Sequence, residues 1–244
     1  MKKIYPIFLF FFLIKIWLAG SSIPKDYKLV YEQDFLDASS KNDFVTTDAS
    51  VWNWGKDKKY GYIEHSRKSD YTYKVRSPYN IALVRKIVVK EFILDAKLQQ
   101  TGKEYGHRDM CVFYNFQDRS NFYYTHIASV TDKHAHNCFI VRNKPRIKIS
   151  FETTDGHNWS AHKWHDLRVI RKYKSGEIAI YMNDLSKPIM RAVDKTFEWG
   201  QVGFGSFDDT GRIGSIQLYA PEVKKIPQKD PFLAGRPAKK NEGI

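Results

Sequence analysis

The feature that most constrains the fold is a succession of short segments rich in Tyr, Phe, Val, Ile and Thr between residues 27 and 219. Clusters of Gly, Asp, Asn, Lys and Ser separate these segments, which is typical of strands joined by turns. No long stretch keeps a helical period. The pattern predicts an all-β protein in which two antiparallel sheets pack as a jelly-roll sandwich. The predicted strands cover residues 28–35, 71–75, 92–100, 110–116, 122–129, 138–141, 148–153, 165–172, 177–182, 200–206 and 214–219.

The two ends of the chain differ from this central region. Lysines at positions 2 and 3 precede an apolar run and then small residues, so residues 1–21 are predicted to be a cleaved signal peptide. Pro6 and Lys15 interrupt a run already shorter than the ~20 residues that span a bilayer, which argues against a stable membrane anchor. Residues 22–221 are predicted to form one domain, and the polar residues 222–244 a flexible tail. The expected location is the periplasm or the medium.

The chain is strongly basic. Its net charge is +13, and +10 remains once the three lysines of the predicted signal peptide are removed. Excess positive charge attracts polyanions. Nucleic acid is a frequent partner of basic proteins, but export favours an acidic oligosaccharide or polysaccharide and excludes nucleic acid. A basic surface that serves only solubility is the alternative. The protein is expected to be a monomer.

Two cysteines, Cys111 and Cys138, fall in apolar segments that read as strands. In an oxidising compartment they permit either one disulfide or two buried thiols. A metal site built on cysteine needs more ligands of this kind than two. We therefore predict no metal and no cofactor.

Four motifs follow one another in the central region. They are GHRDMCVFYNFQDRSNFYYTHIA at 106–128, WHDLRV at 164–169, IAIYMN at 178–183 and VGFGSF at 202–207. In this order they resemble the concanavalin-like lectin/glucanase superfamily, which implies the jelly-roll fold. That superfamily includes lectin modules, glycoside hydrolases and polysaccharide lyases, so the resemblance does not select an activity. Some relatives bind a structural calcium ion, for which Asp208 and Asp209 are candidates, although an ordinary turn is the favoured interpretation.

One departure from the superfamily narrows the choice of activity. The Glu-x-Asp-x-x-Glu motif of the laminarinase-type hydrolases does not occur in the sequence, which disfavours retaining hydrolysis on that plan. Histidine and tyrosine are instead dense between His107 and Arg142. Together with the chain's size and export signal, this segment resembles the ulvan oligosaccharide dehydratases of marine polysaccharide-utilisation systems. That resemblance implies elimination at a terminal uronic acid.

Strand alternation selects the candidate catalytic residues. Tyr124 and His126 fall on one face of the predicted strand at 122–129, and the concave sheet of such a jelly roll offers its outward face to sugars. The polar loop that follows contains His134 and His136, a spacing familiar from metal ligands. We predict all four as catalytic. The alternatives are a buried His–Tyr pair in the core and a solvent-exposed loop that contains histidines by chance.

The cationic candidates are Arg108, Arg119, Arg142 and Arg146, with Lys133 and Lys144. Because a guanidinium pairs two-pronged with the carboxylate of a uronic acid, we predict Arg108, Arg119 and Arg142, together with Asn137, as the substrate-binding residues. Elimination beside that carboxylate needs a base for the C5 proton, an acid for the group that leaves C4, and a cation that stabilises the developing negative charge. Histidine, tyrosine and arginine supply these roles. The sequence therefore predicts a carbon–oxygen lyase, either a dehydratase or a polysaccharide lyase, that acts on ulvan-like oligosaccharides.

Two alternative functions remain open at this point. A non-catalytic carbohydrate-binding module would need only aromatic side chains that stack on sugars. A glycoside hydrolase would use carboxylates outside the usual motif, for which Glu64, Asp109 and Asp118 are the candidates.

Overall fold

The computed structural model describes residues 22–160, 162–227 and 229–237. Within these ranges the regular secondary structure is almost entirely β-strand, with only short 3-10 turns besides, which confirms the all-β prediction. The predicted signal peptide at residues 1–21 lies outside the described residues. Among the residues that are described, no helix combines the length and the apolar character needed to cross a membrane.

Eighteen strands occur in the described part of the chain, with short 3-10 turns at Ala38–Asp43, Ala49–Val51 and Leu233–Gly235. The strands are β1 (Lys28–Gln33), β2 (Phe44–Thr46), β3 (Trp52–Lys56), β4 (Gly61–His65), β5 (Asn80–Val84), β6 (Ile87–Val89), β7 (Phe92–Gln100), β8 (Asp109–Asp118), β9 (Asn121–Ala128), β10 (Asn137–Arg142), β11 (Ile147–Lys148), β12 (Ser150–Thr153), β13 (His165–Lys172), β14 (Glu177–Met182), β15 (Met190–Val193), β16 (Gln201–Ser206), β17 (Gly211–Ala220) and β18 (Val223–Lys225).

The strands form two large antiparallel sheets. The nine-stranded sheet has the order β12-β15-β14-β13-β7-β17-β4-β3, and β1 also pairs with β17. The seven-stranded sheet has the order β11-β10-β9-β8-β16-β5-β2. A small third sheet pairs β18 with β6. Because strands that are distant in sequence lie side by side in both sheets, the chain crosses repeatedly between them, as the jelly-roll prediction requires.

Side chains alternate between the two faces of the seven-stranded sheet. On β9, Tyr123 and Ile127 point into the core between the sheets, where they join Val112 of β8 and Leu94 of β7. Tyr124 belongs to a second apolar cluster on the outer face of the same sheet. The predicted alternation along β9 is therefore correct, and both faces of this sheet are apolar at its centre.

The outer face of the seven-stranded sheet is partly covered by two irregular segments. Tyr71 lies in one of them rather than in the strand predicted at 71–75. Its ring packs edge-on against Phe232, with 5.7 Å between the centroids, and Phe232 also contacts Phe116 at 5.8 Å. The described part of the expected tail is thus packed on the sandwich. One apolar ring anchors a segment whose composition is otherwise polar.

The sequence located the long strands better than the short ones. The predictions at 92–100, 165–172 and 177–182 coincide with β7, β13 and β14. The strand predicted at 148–153 is divided between β11 and β12, which belong to different sheets. The short strands β2 to β6, β15 and β18 were not predicted, because three to five residues carry too little periodicity.

The two cysteines are buried free thiols. Cys111 lies in the outer cluster of the seven-stranded sheet and Cys138 in the core between the sheets. Since they point to opposite faces of that sheet, the thiol alternative is the correct one and a disulfide between them is excluded.

The packing of the C-terminal segment predicts a difference between two adjacent residues. Phe232 is 0% exposed, whereas Leu233 is 70% exposed. Phe232→Ala is expected to lower the free energy of unfolding by about 3–5 kcal/mol, because it leaves a cavity in the outer cluster. Leu233→Ala should change it by less than about 0.5 kcal/mol. Urea denaturation measures both, and equal midpoints would show that the segment is not anchored by Phe232.

Candidate functional site

A cleft of about 720 Å³ opens on the outer face of the seven-stranded sheet, at the end where β8 begins and β9 and β16 end. Strand residues form its floor, and the loops before β5, β8 and β10 and after β10 and β16 form its walls. The lining residues are Lys68, Arg76, Tyr79, Tyr105, His107, Asp109, His126, Lys133, His134, Phe139, Pro145, Arg146, Lys148, Phe207 and Asp208.

Cations dominate the walls of the cleft. Three lysines and two arginines line it, against the two carboxyl groups of Asp109 and Asp208. The ammonium group of Lys68 lies 3.9 Å from the centroid of the Tyr79 ring, which is a cation–π contact. A concave surface lined by one sign of charge concentrates ligands of the opposite sign. The cleft is therefore suited to an anion.

Arg146 is the most firmly held of these cations. Its Nη1 donates a hydrogen bond to the hydroxyl of Tyr124 at 2.9 Å. Its guanidinium carbon lies 4.9 Å from the centroid of Phe139 and 4.8 Å from that of Phe207. Aromatic contacts and one hydrogen bond fix the plane of the guanidinium, which presents several N–H donors in a rigid fork. This geometry can pair with a carboxylate.

Tyr124, predicted to be catalytic, does not line the cleft. Its ring is fully buried and stacks on Phe113 and Phe139, with centroids 6.0 and 5.2 Å away. Burial raises the pKa of Tyr124 far above its ordinary value. The phenol stays protonated and out of reach of a ligand. Its role in the site is to hold Arg146.

His126 lies on the floor of the cleft, as predicted, but both nitrogens of its ring are occupied. The backbone N–H of His136 donates to Nδ1 at 3.3 Å, and Nε2 lies 3.3 Å from Oδ2 of Asp109. Because Nδ1 accepts a hydrogen bond, the proton of the neutral ring is on Nε2, which faces the carboxylate. In this arrangement His126 has no free lone pair for a substrate proton.

Asp109, Cys111 and His126 are the group in the described residues that most resembles a metal site. Their ligand atoms all lie within 4.8 Å of one another, and all three residues are buried. The Cys111 thiol donates to Asp109 Oδ2 at 3.0 Å, and burial raises the pKa of that thiol well above its ordinary value. A metal on His126 Nε2 would require a proton on Nδ1, where the backbone N–H of His136 already points. Hydrogen-bond and charge contacts among these residues and His136 hold the cluster together.

His107 is the functional candidate that the sequence prediction missed. Its Nε2 is 2.8 Å from Asp132 Oδ2, its side chain is 54% exposed, and it lines the cleft. Backbone N–H groups of His134 and Ala135 donate to the Asp132 carboxylate at 2.6 and 2.7 Å. Partial burial opposes the ionisation of Asp132, but these two bonds and His107 keep its pKa below the ordinary value. The carboxylate holds the proton on Nε2, so Nδ1 of His107 carries the lone pair. The only sequence signal was that His107 opens the histidine-rich segment.

The predicted His134/His136 pair is not a pair in space. His134 is exposed on the wall of the cleft, whereas His136 is fully buried. His136 Nδ1 accepts a hydrogen bond from the backbone N–H of Ala128, and Nε2 contacts the hydroxyl of Thr154 at 3.0 Å. Burial lowers the pKa of His136 to about 4. The backbone of His136 is left-handed, with φ of 53°, so the alternation assumed for a strand does not apply to this loop.

The four predicted substrate-binding residues lie outside the lining of the cleft. Arg108 is buried and donates to Gln100 Oε1 at 3.0 Å. Asn137 is buried and donates to two backbone carbonyls of the loop before it. Arg119 and Arg142 lie at the other end of β9 and β10. Two cations of the cleft, Lys133 and Arg146, were cationic candidates in the sequence but not among the four predicted to bind substrate, and no sequence pattern pointed to the other three, at positions 68, 76 and 148.

Comparisons with known proteins bear on the fold. No protein-family model and no curated protein sequence matches the chain. Among solved structures, the chain is similar to the carbohydrate-binding module CBM66 from Bacillus subtilis, with a TM-score of 0.52, 16% identity and coverage of 73% of this chain and 96% of the module. For a Bacillus subtilis protein of unknown function with a galectin-like fold, the TM-score is 0.54 and the identity 11%, and the match covers 82% of this chain and 100% of that protein. For the winged bean acidic lectin, complexed with methyl-α-D-galactose, the TM-score is 0.52 and the identity 9%, and the match covers 83% of this chain and 100% of the lectin. These likenesses confirm the lectin-like jelly roll.

The buried imidazole of His136 predicts a pH dependence of stability. Its pKa is about 4 in the folded protein and about 6.5 in an unfolded chain. Since the pKa is lower in the folded protein, the unfolded chain takes up the proton first as the pH falls. The free energy of unfolding is therefore highest above pH 6.5 and decreases by on the order of 3 kcal/mol as the pH falls to 4. His136→Gln should therefore reduce the loss of unfolding free energy between pH 6.5 and 4. Part of the loss remains in the variant, because burial also lowers the pKa of His65 to about 4 and that of His157 to about 3. Urea denaturation across this range measures it.

The control for this experiment is His134→Gln, at an exposed position two residues away. In this variant the free energy of unfolding should depend on pH as it does in the wild type. A His136→Gln variant as acid-sensitive as the wild type would contradict the assignment.

Proposed function

We propose that the cleft binds an acidic saccharide and catalyses elimination beside the carboxylate of a uronic acid. The observation that carries the proposal is that a rigid guanidinium and a histidine paired with a carboxylate line the same cleft. Arg146 supplies the first and His107 with Asp132 the second. Anion binding and proton abstraction are the two requirements of this reaction class.

The binding step is supported by the chemistry of the walls. Arg146 offers parallel N–H donors to a carboxylate, and Lys68 and Arg76 add positive charge. Tyr79 and Phe207 supply apolar faces to the same cleft. A sugar with a carboxylate needs both kinds of surface, because its ring presents C–H groups while its acidic substituent needs a cation.

The elimination step uses two groups that line the cleft, the imidazole of His107 and the guanidinium of Arg146. Nδ1 of His107 removes the proton at C5, and the pair of electrons forms the C4–C5 double bond as the C4–O bond breaks. Arg146 stabilises the negative charge that develops on the carboxylate. The imidazolium of His107 then returns this proton to the departing oxygen, so the step balances without a second acid. If that oxygen is a hydroxyl the protein is a dehydratase; if it is glycosidic the protein is a lyase.

The resemblance of the histidine-rich segment favours the dehydratase and makes ulvan oligosaccharides the first substrates to test. We expect this activity in the periplasm or the medium, because the sequence predicts a signal peptide at residues 1–21. We expect the protein to act as a monomer.

Binding without chemistry is the second candidate. It is favoured by the solved structures of similar fold, which include a carbohydrate-binding module and a lectin complexed with a galactoside. Glycoside hydrolysis has less support, because the three candidate carboxylates are far apart in the fold. Glu64 pairs with Arg212 on the nine-stranded sheet, and Asp109 and Asp118 lie at opposite ends of β8.

The role of Arg146 predicts a specific loss of affinity. Arg146→Lys keeps the charge but removes the rigid fork, so the Kd for a uronate-containing oligosaccharide is expected to rise about tenfold to a hundredfold. Arg142→Lys, at the other end of β10, should leave the Kd unchanged. Isothermal titration calorimetry measures both. Equal affinities of the two variants would remove Arg146 from the binding site.

The role of His107 predicts a loss of turnover. Wild-type protein with ulvan oligosaccharides should generate the ultraviolet absorbance of a 4,5-unsaturated uronate. His107→Gln should lower kcat by about 10²- to 10⁴-fold with little change in Kd, while His162→Gln, exposed and outside the cleft, stays active. Mass spectrometry of the products identifies a dehydratase by loss of one water and a lyase by chain cleavage. Tight binding with no absorbance change in the wild type would refute the elimination and leave the binding module.

A further inference from the structure

Two carboxyl groups lie side by side beneath the cleft. Asp109 and Asp209 are 1% and 8% exposed. The backbone N–H of Asp109 donates to Asp209 Oδ2 at 3.0 Å, and the hydroxyl of Tyr105 donates to the same oxygen at 2.8 Å. The backbone N–H of Phe207 lies 3.3 Å from Asp109 Oδ2. Asp109, Tyr105 and Phe207 all line the cleft, so the charge of this pair lies directly below any bound ligand.

The neighbours decide which of the two carboxyl groups ionises. Burial opposes the ionisation of Asp109, but the adjacent His126 and the hydrogen bonds from His126 and Cys111 hold its pKa below the ordinary value. Burial, and then the charge of Asp109, raise the pKa of Asp209 to about 7. Below that pH the pair holds one proton, and above it two negative charges are adjacent in a buried position.

We propose that the Asp109–Asp209 pair couples the binding of an acidic saccharide to the uptake of a proton. This inference rests on the proposed binding of such a saccharide in the cleft. When the pair loses its proton, a second negative charge arises beneath the ligand, where burial weakens the screening by water. The cleft then binds an anion less tightly. By linkage, a bound anion favours the protonated pair.

Other groups that face the pair or the cleft titrate as well. Tyr105 precedes β8, Asp109 and Cys111 lie on β8, and Asp208 is adjacent in the chain. The cleft also contains the histidines at 107, 126 and 134 and the cations at 68, 76, 133, 146 and 148. The experiment must therefore isolate Asp209.

The variant that isolates it is Asp209→Asn, which keeps an oxygen for Tyr105 and for the backbone N–H of Asp109 but cannot ionise. His107→Gln serves as the background, because it prevents turnover and removes one titrating histidine. The probe is an oligoglucuronate, and calorimetry gives Kd at pH 6 and pH 8. We expect Kd to rise about fivefold to tenfold between these pH values in the background protein and by about twofold or less after Asp209→Asn.

Two further variants test whether the pH dependence of Kd comes from Asp209 itself. Asp208→Asn removes an exposed carboxyl group next to the pair and should keep the pH dependence of the background. Tyr105→Phe removes a hydrogen bond that favours the ionised form of Asp209, so the midpoint of the pH dependence should move to higher pH. A purely structural role of Asp209 would not move that midpoint.

The results distinguish a failure of the proton coupling from a failure of the proposed function. Oligoglucuronate binding that changes with pH equally with and without Asp209→Asn, or an unmoved midpoint in Tyr105→Phe, overturns the coupling and leaves the proposed function intact. No binding at either pH in any variant overturns the proposed function and the coupling together.

Discussion

The fold depends on one constraint, which is that the central strands of the seven-stranded sheet are apolar on both faces. Val112 and Tyr123 point into the core, while Phe113 and Tyr124 form the outer cluster. A sheet with two apolar faces must be covered on both. The nine-stranded sheet covers the inner face completely, but the irregular segments around Phe232 cover only part of the outer face. The cleft is the remaining part, where charged loop residues meet a floor that combines the Phe139 ring with His126 and Asp109.

This apolar layer gives the site its rigidity. Tyr124 is fixed by stacking between two phenylalanines, its hydroxyl fixes Arg146, and the guanidinium lies against Phe139 and Phe207. An arginine held in advance loses less conformational entropy on binding than one on a mobile loop. The tyrosine that strand alternation pointed to therefore contributes by holding a cation, and its buried phenol moves no proton.

Periodicity predicts what lies on strands and little of what lies on loops. The strands β7, β13 and β14 and the common face of Tyr124 and His126 could be predicted, because burial imposes a two-residue repeat on an extended chain. His107 reaches Asp132 25 positions away, and the loop that carries Arg146 meets Tyr124 only after folding. Contacts between residues that are distant in sequence leave no local periodicity from which they could be predicted. His136 was assigned wrongly to the cleft because a left-handed residue breaks the alternation on which its assignment rested.

Burial next to the cleft removes charge of both signs. It lowers the pKa of His136 to about 4 and raises that of Asp209 to about 7, so both groups are largely neutral near pH 6. Asp109 stays ionised because it receives hydrogen bonds from its neighbours. A single negative charge on the floor then faces the rigid cation Arg146 on the wall. An acidic saccharide bound as proposed must turn its carboxylate towards Arg146 and its hydroxyl groups towards Asp109, because the reverse orientation would bring two anions together in a partly dehydrated cleft.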